Sequence, residues 1–163
     1  MTFFRSIRAF FFTPQTATGF GLMRIGWATI TGVFLLMQWR NVSLYYSDFG
    51  LLPTSLLSTV TRTAYRFSVL DVITAPNAVF WLYVLLLTCL LSMALGILPR
   101  VMTWASVLLL FSFHERNPMI LGGGDTLLRN IGFILMLAPG IEAMSLKRAF
   151  AHYEQWMTKR TFL

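Results

Sequence analysis

The chain has 163 residues, 56% of them hydrophobic and only 12% charged, about half the charged fraction of a soluble domain. A mean hydropathy of +0.68 excludes an ordinary soluble globule, which needs charge to cover its surface, and intrinsic disorder, which needs few apolar residues. The net charge of +7 comes from basic residues that flank apolar runs, so it points to anionic lipid headgroups rather than nucleic acid.

At the N-terminus, Arg5 and Arg8 precede Phe10-Phe11-Phe12, which stops at Pro14 with no small-residue cleavage site behind it. This does not read as a cleaved signal. A first span is predicted over about residues 20–39 and ends at Arg40. Trp27 lies inside it, and Ala28 with Gly32 forms a small-xxx-small pair that allows close helix packing. Residues 54–70 place Leu56, Val60, Ala64 and Phe67 on one helical face, with Ser55, Ser58, Arg62 and Arg66 on another. That pattern predicts an amphipathic helix lying on a bilayer. The second span, residues 77–98, carries no charge over 22 residues. Pro76 opens it, where a missing N–H costs nothing, and Gly96 and Pro99 close it.

A third span over about 101–116 and a fourth over about 126–141 complete the set. Their apolar stretches, Val101–Phe113 and Thr126–Ala138, have only 13 residues each. Such a stretch reaches roughly 20 Å, short of a ~30 Å hydrocarbon core. The polar loop between them is therefore expected at membrane depth, packed against the bundle, with Gly122, Gly123 and Gly124 permitting a tight path. Residues 145–160 read as a second amphipathic helix, with Leu146, Phe150, Tyr153 and Met157 together. The fold class is all-α: one domain, a polytopic four-helix transmembrane bundle with two amphipathic interfacial helices. Arg5, Arg8, Arg100, Lys147, Arg148, Lys159 and Arg160 fall on one side. Arg40, Arg62, Arg66, Arg116 and Arg129 fall on the other. That bias places both termini in the cytoplasm of a multi-pass protein, in the plasma or inner membrane if the source is bacterial.

Chemistry-bearing residues are few. Asp125 and Arg129 are one helical turn apart, acid first, the favourable order for a pair, and Asp125 is placed to cap the fourth helix. Such a pair is a structural device that lets Arg129 enter the membrane, or a ligand or proton site, because ionisable groups at that depth are costly. Arg24 either snorkels to the headgroups or points inward and pairs with Glu115 or Asp125. His114, Glu115 and Arg116 splay around a helix and cannot all face one cavity. The single cysteine, Cys89, and the lack of a second histidine near His114 give no metal site. The glycine run lacks the Lys-Ser/Thr of a phosphate loop and follows no strand. Asn41-Val42-Ser43 matches a glycosylation acceptor that abuts the membrane, and His152 reads as a solvated tail residue.

Two stretches carry a family resemblance. One is Tyr45-Tyr46-Ser47-Asp48-Phe49-Gly50-Leu51-Leu52-Pro53. The other runs Arg116-Asn117-Pro118-Met119-Ile120-Leu121-Gly122-Gly123-Gly124-Asp125-Thr126-Leu127-Leu128-Arg129. With Arg24 early in the first span, this order resembles the HTTM (horizontally transferred transmembrane domain) family, related to the vitamin K-dependent gamma-carboxylase. The resemblance covers nearly the whole chain and implies a multi-helix membrane fold. HTTM domains usually continue with further membrane helices beyond the point where this chain ends. The carboxylase relatives use a lysine base in that later region; neither Lys147 nor Lys159 matches it. The resemblance therefore implies fold and location, and no catalytic residue for this chain.

The expected function is a membrane-embedded module that binds a lipid-like or quinone-like ligand. Arg24, His114, Glu115, Asn117, Asp125 and Arg129 would form an intramembrane polar pocket for the headgroup. The competing reading is a non-catalytic structural or assembly module, partnered by another membrane protein or a second copy. A small transporter is a third reading, resting on the intramembrane charges alone.

Overall fold

The structure is a computed structural model that describes residues 18–60, 68–138 and 141–145. The proposed second amphipathic helix, the C-terminal part of the first, and the terminal basic clusters lie outside the described residues.

All regular structure among the described residues is helical. Helix α1 spans Thr18–Gln38 and passes through a short 3-10 turn, Trp39–Asn41, into α2, Val42–Tyr46. Helix α3, Thr54–Val60, follows a tight loop. A 3-10 turn at Val69–Asp71 leads to α4, Pro76–Leu95. Helix α5 spans Pro99–Arg116, a 3-10 turn spans Pro118–Ile120, and α6 spans Gly123–Leu137. The long helices pack as a four-helix bundle, α1 on α4, α4 on α5, α5 on α6 and α6 back on α1.

Local chemistry sets the boundaries. Ala75 is extended, as a residue before proline must be, and Pro76 occupies the first turn of α4. Gly96 adopts φ 76°, its N–H bonds to Met93 O, and the Ile97 N–H bonds to Ser92 O. This paired 5→2 and 6→1 closure needs a left-handed residue, which glycine supplies without a Cβ clash. Pro99 then opens α5.

Two segments are long and apolar enough to cross a membrane: Thr18–Tyr46 and Pro76–Leu95. The third helix ends at Arg116, where the predicted third span ends, and starts slightly earlier, at Pro99, for a length of 18 residues, about 27 Å. Its polar last turn stays helical because Glu115 and Arg116 find partners on neighbouring elements. The fourth helix begins at Gly123 and stops at Leu137, a length of 15 residues, about 22 Å. In α3, Leu57 is buried against the bundle, while Leu56, on the face predicted to meet the bilayer, is exposed.

The core is built from Trp27, Leu35, Tyr83, Leu86, Leu90, Val107, Leu110, Phe113 and Leu135. Gly132 sits where α6 crosses α1. A Cβ there would lie 2.7 Å from Trp27 Cζ2 and 3.1 Å from Val107 Cγ2. The Trp27 indole N–H, inside the helix, donates to Leu128 O at 2.8 Å. That bond satisfies the one polar group of a side chain otherwise chosen for its area. The outer faces of all the long helices are apolar, with Ile30, Leu36, Leu85, Leu91, Leu108 and Ile134 among the exposed residues.

Candidate functional site

The polar residues gather at the end of the bundle where α5 finishes and α6 starts. His114 is 5% exposed, and Asp125 and Arg129 both act on it electrostatically. Its Nδ1 is buried with no hydrogen-bond partner among the described residues. Glu115 turns to α6 and accepts from Arg129 Nη1 at 3.0 Å. The Arg129 guanidinium also lies 5.5 Å from the Phe111 ring centroid. Arg116 is buried and reaches the other way, its Nη2 lying 3.5 Å from Asp48 Oδ1. Consecutive residues on one helix turn thus diverge onto separate partners, as their roughly 100° spacing requires.

Asn117 is buried and anchors the connection. Its Nδ2 donates to Tyr45 O at 2.8 Å, and its Oδ1 accepts from the Met119 N–H at 3.2 Å. The loop packs in part as expected: Asn117 and Asp125 at its ends are buried and Ile120 lies against the core, whereas Met119 and Gly122 to Gly124 are exposed. Nor do the glycines serve a tight path. None of the three has a positive φ, and a Cβ at Gly123 or Gly124 would meet nothing.

Asp125 accepts from the Gly122 N–H at 2.7 Å, half of a capping box, and its charge sits at the positive end of the α6 dipole. It forms no ion pair among the described residues; the expected pairing with Arg129 or Arg24 is absent. Arg129 points across to α5 rather than back along its own helix.

Arg24 lies elsewhere. It is fully buried, so it does not snorkel, and it pairs with neither Glu115 nor Asp125. Its Nη1 donates to Ile141 O at 2.8 Å and its Nη2 to Met144 O at 3.1 Å. Those carbonyls follow the C-terminal end of α6, while Asp125 and Arg129 occupy its first two turns. Arg24 therefore holds the 141–145 segment under the opposite end of the bundle. Gly21 allows that approach, since a Cβ there would lie 2.8 Å from Ala143 O. The structure brings His114, Glu115, Asp125 and Arg129 together, ties Asn117 to Tyr45 instead, and leaves Arg24 out.

Two stretches far apart in sequence meet at this site. Asp48 and Tyr45 belong to one, and Arg116 and Asn117 to the other. Asp48 also accepts from both the N–H and the hydroxyl of Thr54, the first residue of α3. These bonds, and secondarily the Arg116 charge, hold its carboxyl below the ordinary value of 3.8. Gly50 closes the loop, since a Cβ there would collide with Leu44 O. No family model matches the chain, and no curated protein or solved structure matches it either.

Sequence reasoning placed Asp48 and Tyr46 only within a motif and gave them no role at the site. Tyr46 is buried, within electrostatic reach of Asp125, and stacked edge-on to Phe113 at 5.0 Å. The signal that could have found both was the cluster of Tyr, Ser and Asp directly after a span. Two cavities lined by described residues lie away from this cluster. One is an apolar groove of about 320 Å³ between α1 and α4, lined by Ala28, Gly32, Val33, Leu36, Leu87 and Leu91. The other lies near Arg100 and Glu142, at the Arg24 end. No cluster of metal-ligand residues occurs among the described residues.

Proposed function

We propose that this chain is an integral membrane module of the HTTM type, with α1, α4, α5 and α6 as four spans. It binds a lipid-like molecule whose polar head reaches the His114 end of the bundle. The observation that carries this reading is His114, almost fully buried with an unpartnered Nδ1. A buried polar atom without a partner costs roughly 1–3 kcal/mol. A hydroxyl or carbonyl of a bound molecule would relieve that cost. Asp125 and Arg129 act on it electrostatically and are themselves held in place, Asp125 by the Gly122 N–H and Arg129 by Glu115. The apolar outer faces of all four helices support a lipid environment.

The test is the lipid content of the purified protein. Mass spectrometry of the wild-type chain in detergent should find a stoichiometric lipid-class or quinone-class molecule, and His114→Leu should lose it while staying folded. Equal retention by His114→Leu, or no retained molecule in the wild type, overturns the reading. The second reading, an assembly module without a ligand, is favoured by the mutual pairing of Glu115 with Arg129 and Arg116 with Asp48. It expects a co-purifying membrane protein instead.

A further inference from the structure

We infer that the loops at the His114 end form a rim that inserts apolar side chains into the headgroup layer of the bilayer. It rests on the membrane reading but not on the ligand. Phe49 is 87% exposed and Val72 86%, and Leu51 and Met119 are also exposed. They come from three separate loops, yet the structure ties those loops together. The Asp48 N–H donates to Thr74 O at 3.4 Å. Asn117 Nδ2 holds Tyr45 O, and Arg116 holds Asp48. The tips are therefore presented on fixed backbone. Gly50 N bonds to Ser47 O, Leu51 N to Leu44 O, and Val72 N to Val69 O.

Position selects the occupant. One candidate span closes at Tyr46 and the other opens at Pro76, so these loops start where the hydrocarbon would end. The headgroup layer is about 5–7 Å deep on each side, the difference between a ~30 Å core and a ~40–45 Å bilayer. Trp39 and Trp81 lie at the same ends of the two spans and are exposed on their outer faces, as interfacial tryptophans are. Apolar tips stand beyond the tryptophans, and a polar network of Asp48, Arg116 and Asn117 lies beneath them. That layering suits a lipid interface, where apolar side chains reach outward between headgroups. A protein partner would call for one continuous apolar patch instead.

The test uses nitroxide labels on single cysteines at Phe49→Cys, Val72→Cys and, as a hydrocarbon reference, Leu85→Cys on exposed mid-α4, all with Cys89→Ala. The protein is reconstituted in phosphatidylcholine–phosphatidylglycerol vesicles. Collision with oxygen, which partitions into lipid, is compared with collision with a water-soluble nickel chelate. Labels at 49 and 72 should give oxygen-to-nickel ratios several-fold above that of free label in buffer and below that at 85. A ratio at 49 and 72 equal to free label, with 85 in lipid, overturns this inference and leaves the membrane reading standing. Protection of 49 and 72 from both reagents also overturns it, because protein then covers the rim. A label at 85 that behaves as in water removes the membrane reading itself.

Discussion

Arg129 pairs with Glu115 across the α5–α6 interface at 3.0 Å, and not with Asp125 one turn before it on its own helix. Both side chains of that pair are about a quarter exposed, so the pair is partly shielded from water and stiffened by Phe111 below the guanidinium. A double-mutant cycle of Glu115→Gln and Arg129→Gln, read by thermal unfolding in detergent, should give a coupling of about 1 kcal/mol. The corresponding cycle of Asp125→Asn with Arg129→Gln should give coupling near zero. Asp125→Ala should still cost about 1 kcal/mol through the lost bond to Gly122 N–H. Strong coupling between Asp125 and Arg129 would contradict the geometry.

Asp48 sets an acid limb. Its carboxyl titrates below the ordinary 3.8 because Thr54 donates to it twice and Arg116 lies close. A group whose folded pKa is depressed contributes stability above its unfolded value, and that contribution fades as pH falls through the folded value. Wild type should therefore exceed Asp48→Asn in stability by a constant margin at neutral pH. The margin should shrink only below about pH 4, the model-peptide range for Asp. Unfolding midpoints measured between neutral pH and pH 3 give the comparison. A margin that already shrinks between pH 7 and pH 5 would mean that another group carries the effect.

The helical class and the two long apolar segments were legible because residues 77–98 offer a simple pattern, with a proline at the start and a glycine at the end. The end of the third helix at Arg116 was legible too, but the partners that hold its polar last turn, Asp48 and Arg129 on other elements, were not. Sequence spacing pairs Asp125 with Arg129, whereas the fold offers Arg129 a nearer partner on a different helix. Arg24 was misplaced for the same reason. Its partners are backbone carbonyls of Ile141 and Met144, and carbonyls carry no sequence signal. The meeting of Tyr45 and Asp48 with Asn117 and Arg116 was not read from the sequence, because no periodicity links segments so far apart.

Gly132 should resist enlargement. Its missing Cβ is the space that Trp27 Cζ2 and Val107 Cγ2 occupy, at 2.7 and 3.1 Å from where the atom would stand. Gly132→Ala should lower stability by about 1–3 kcal/mol, the cost of overpacking a close contact. Trp27→Phe in that background should recover part of the loss, since the smaller ring vacates the site even though the bond to Leu128 O goes with it. Thermal unfolding of the two single variants and the double variant measures this. A neutral Gly132→Ala would mean that α1 and α6 approach less closely than described.

The last prediction concerns which side each end of the bundle faces. The α4–α5 turn at Leu98 and the α5–α6 connection at Met119 lie at opposite ends of an 18-residue helix, about 27 Å apart along its axis. That length nearly spans a ~30 Å hydrocarbon core, so the two turns should emerge on opposite sides. The excess of basic residues on the Arg100 side predicts that turn in the cytoplasm and the one next to Arg116 outside. Leu98→Cys and Gly123→Cys, each with Cys89→Ala, are both at exposed positions, and a Cβ at Gly123 meets no neighbour. In intact cells a membrane-impermeant maleimide should label Gly123→Cys and spare Leu98→Cys until the membrane is opened. In a carbonate wash both proteins should stay in the pellet, because the uncharged α4 segment cannot be stripped by alkali. Labelling of both positions from outside would mean that α5 does not cross, which would leave the two segments Thr18–Tyr46 and Pro76–Leu95 as the spans and α5 with α6 as a re-entrant pair.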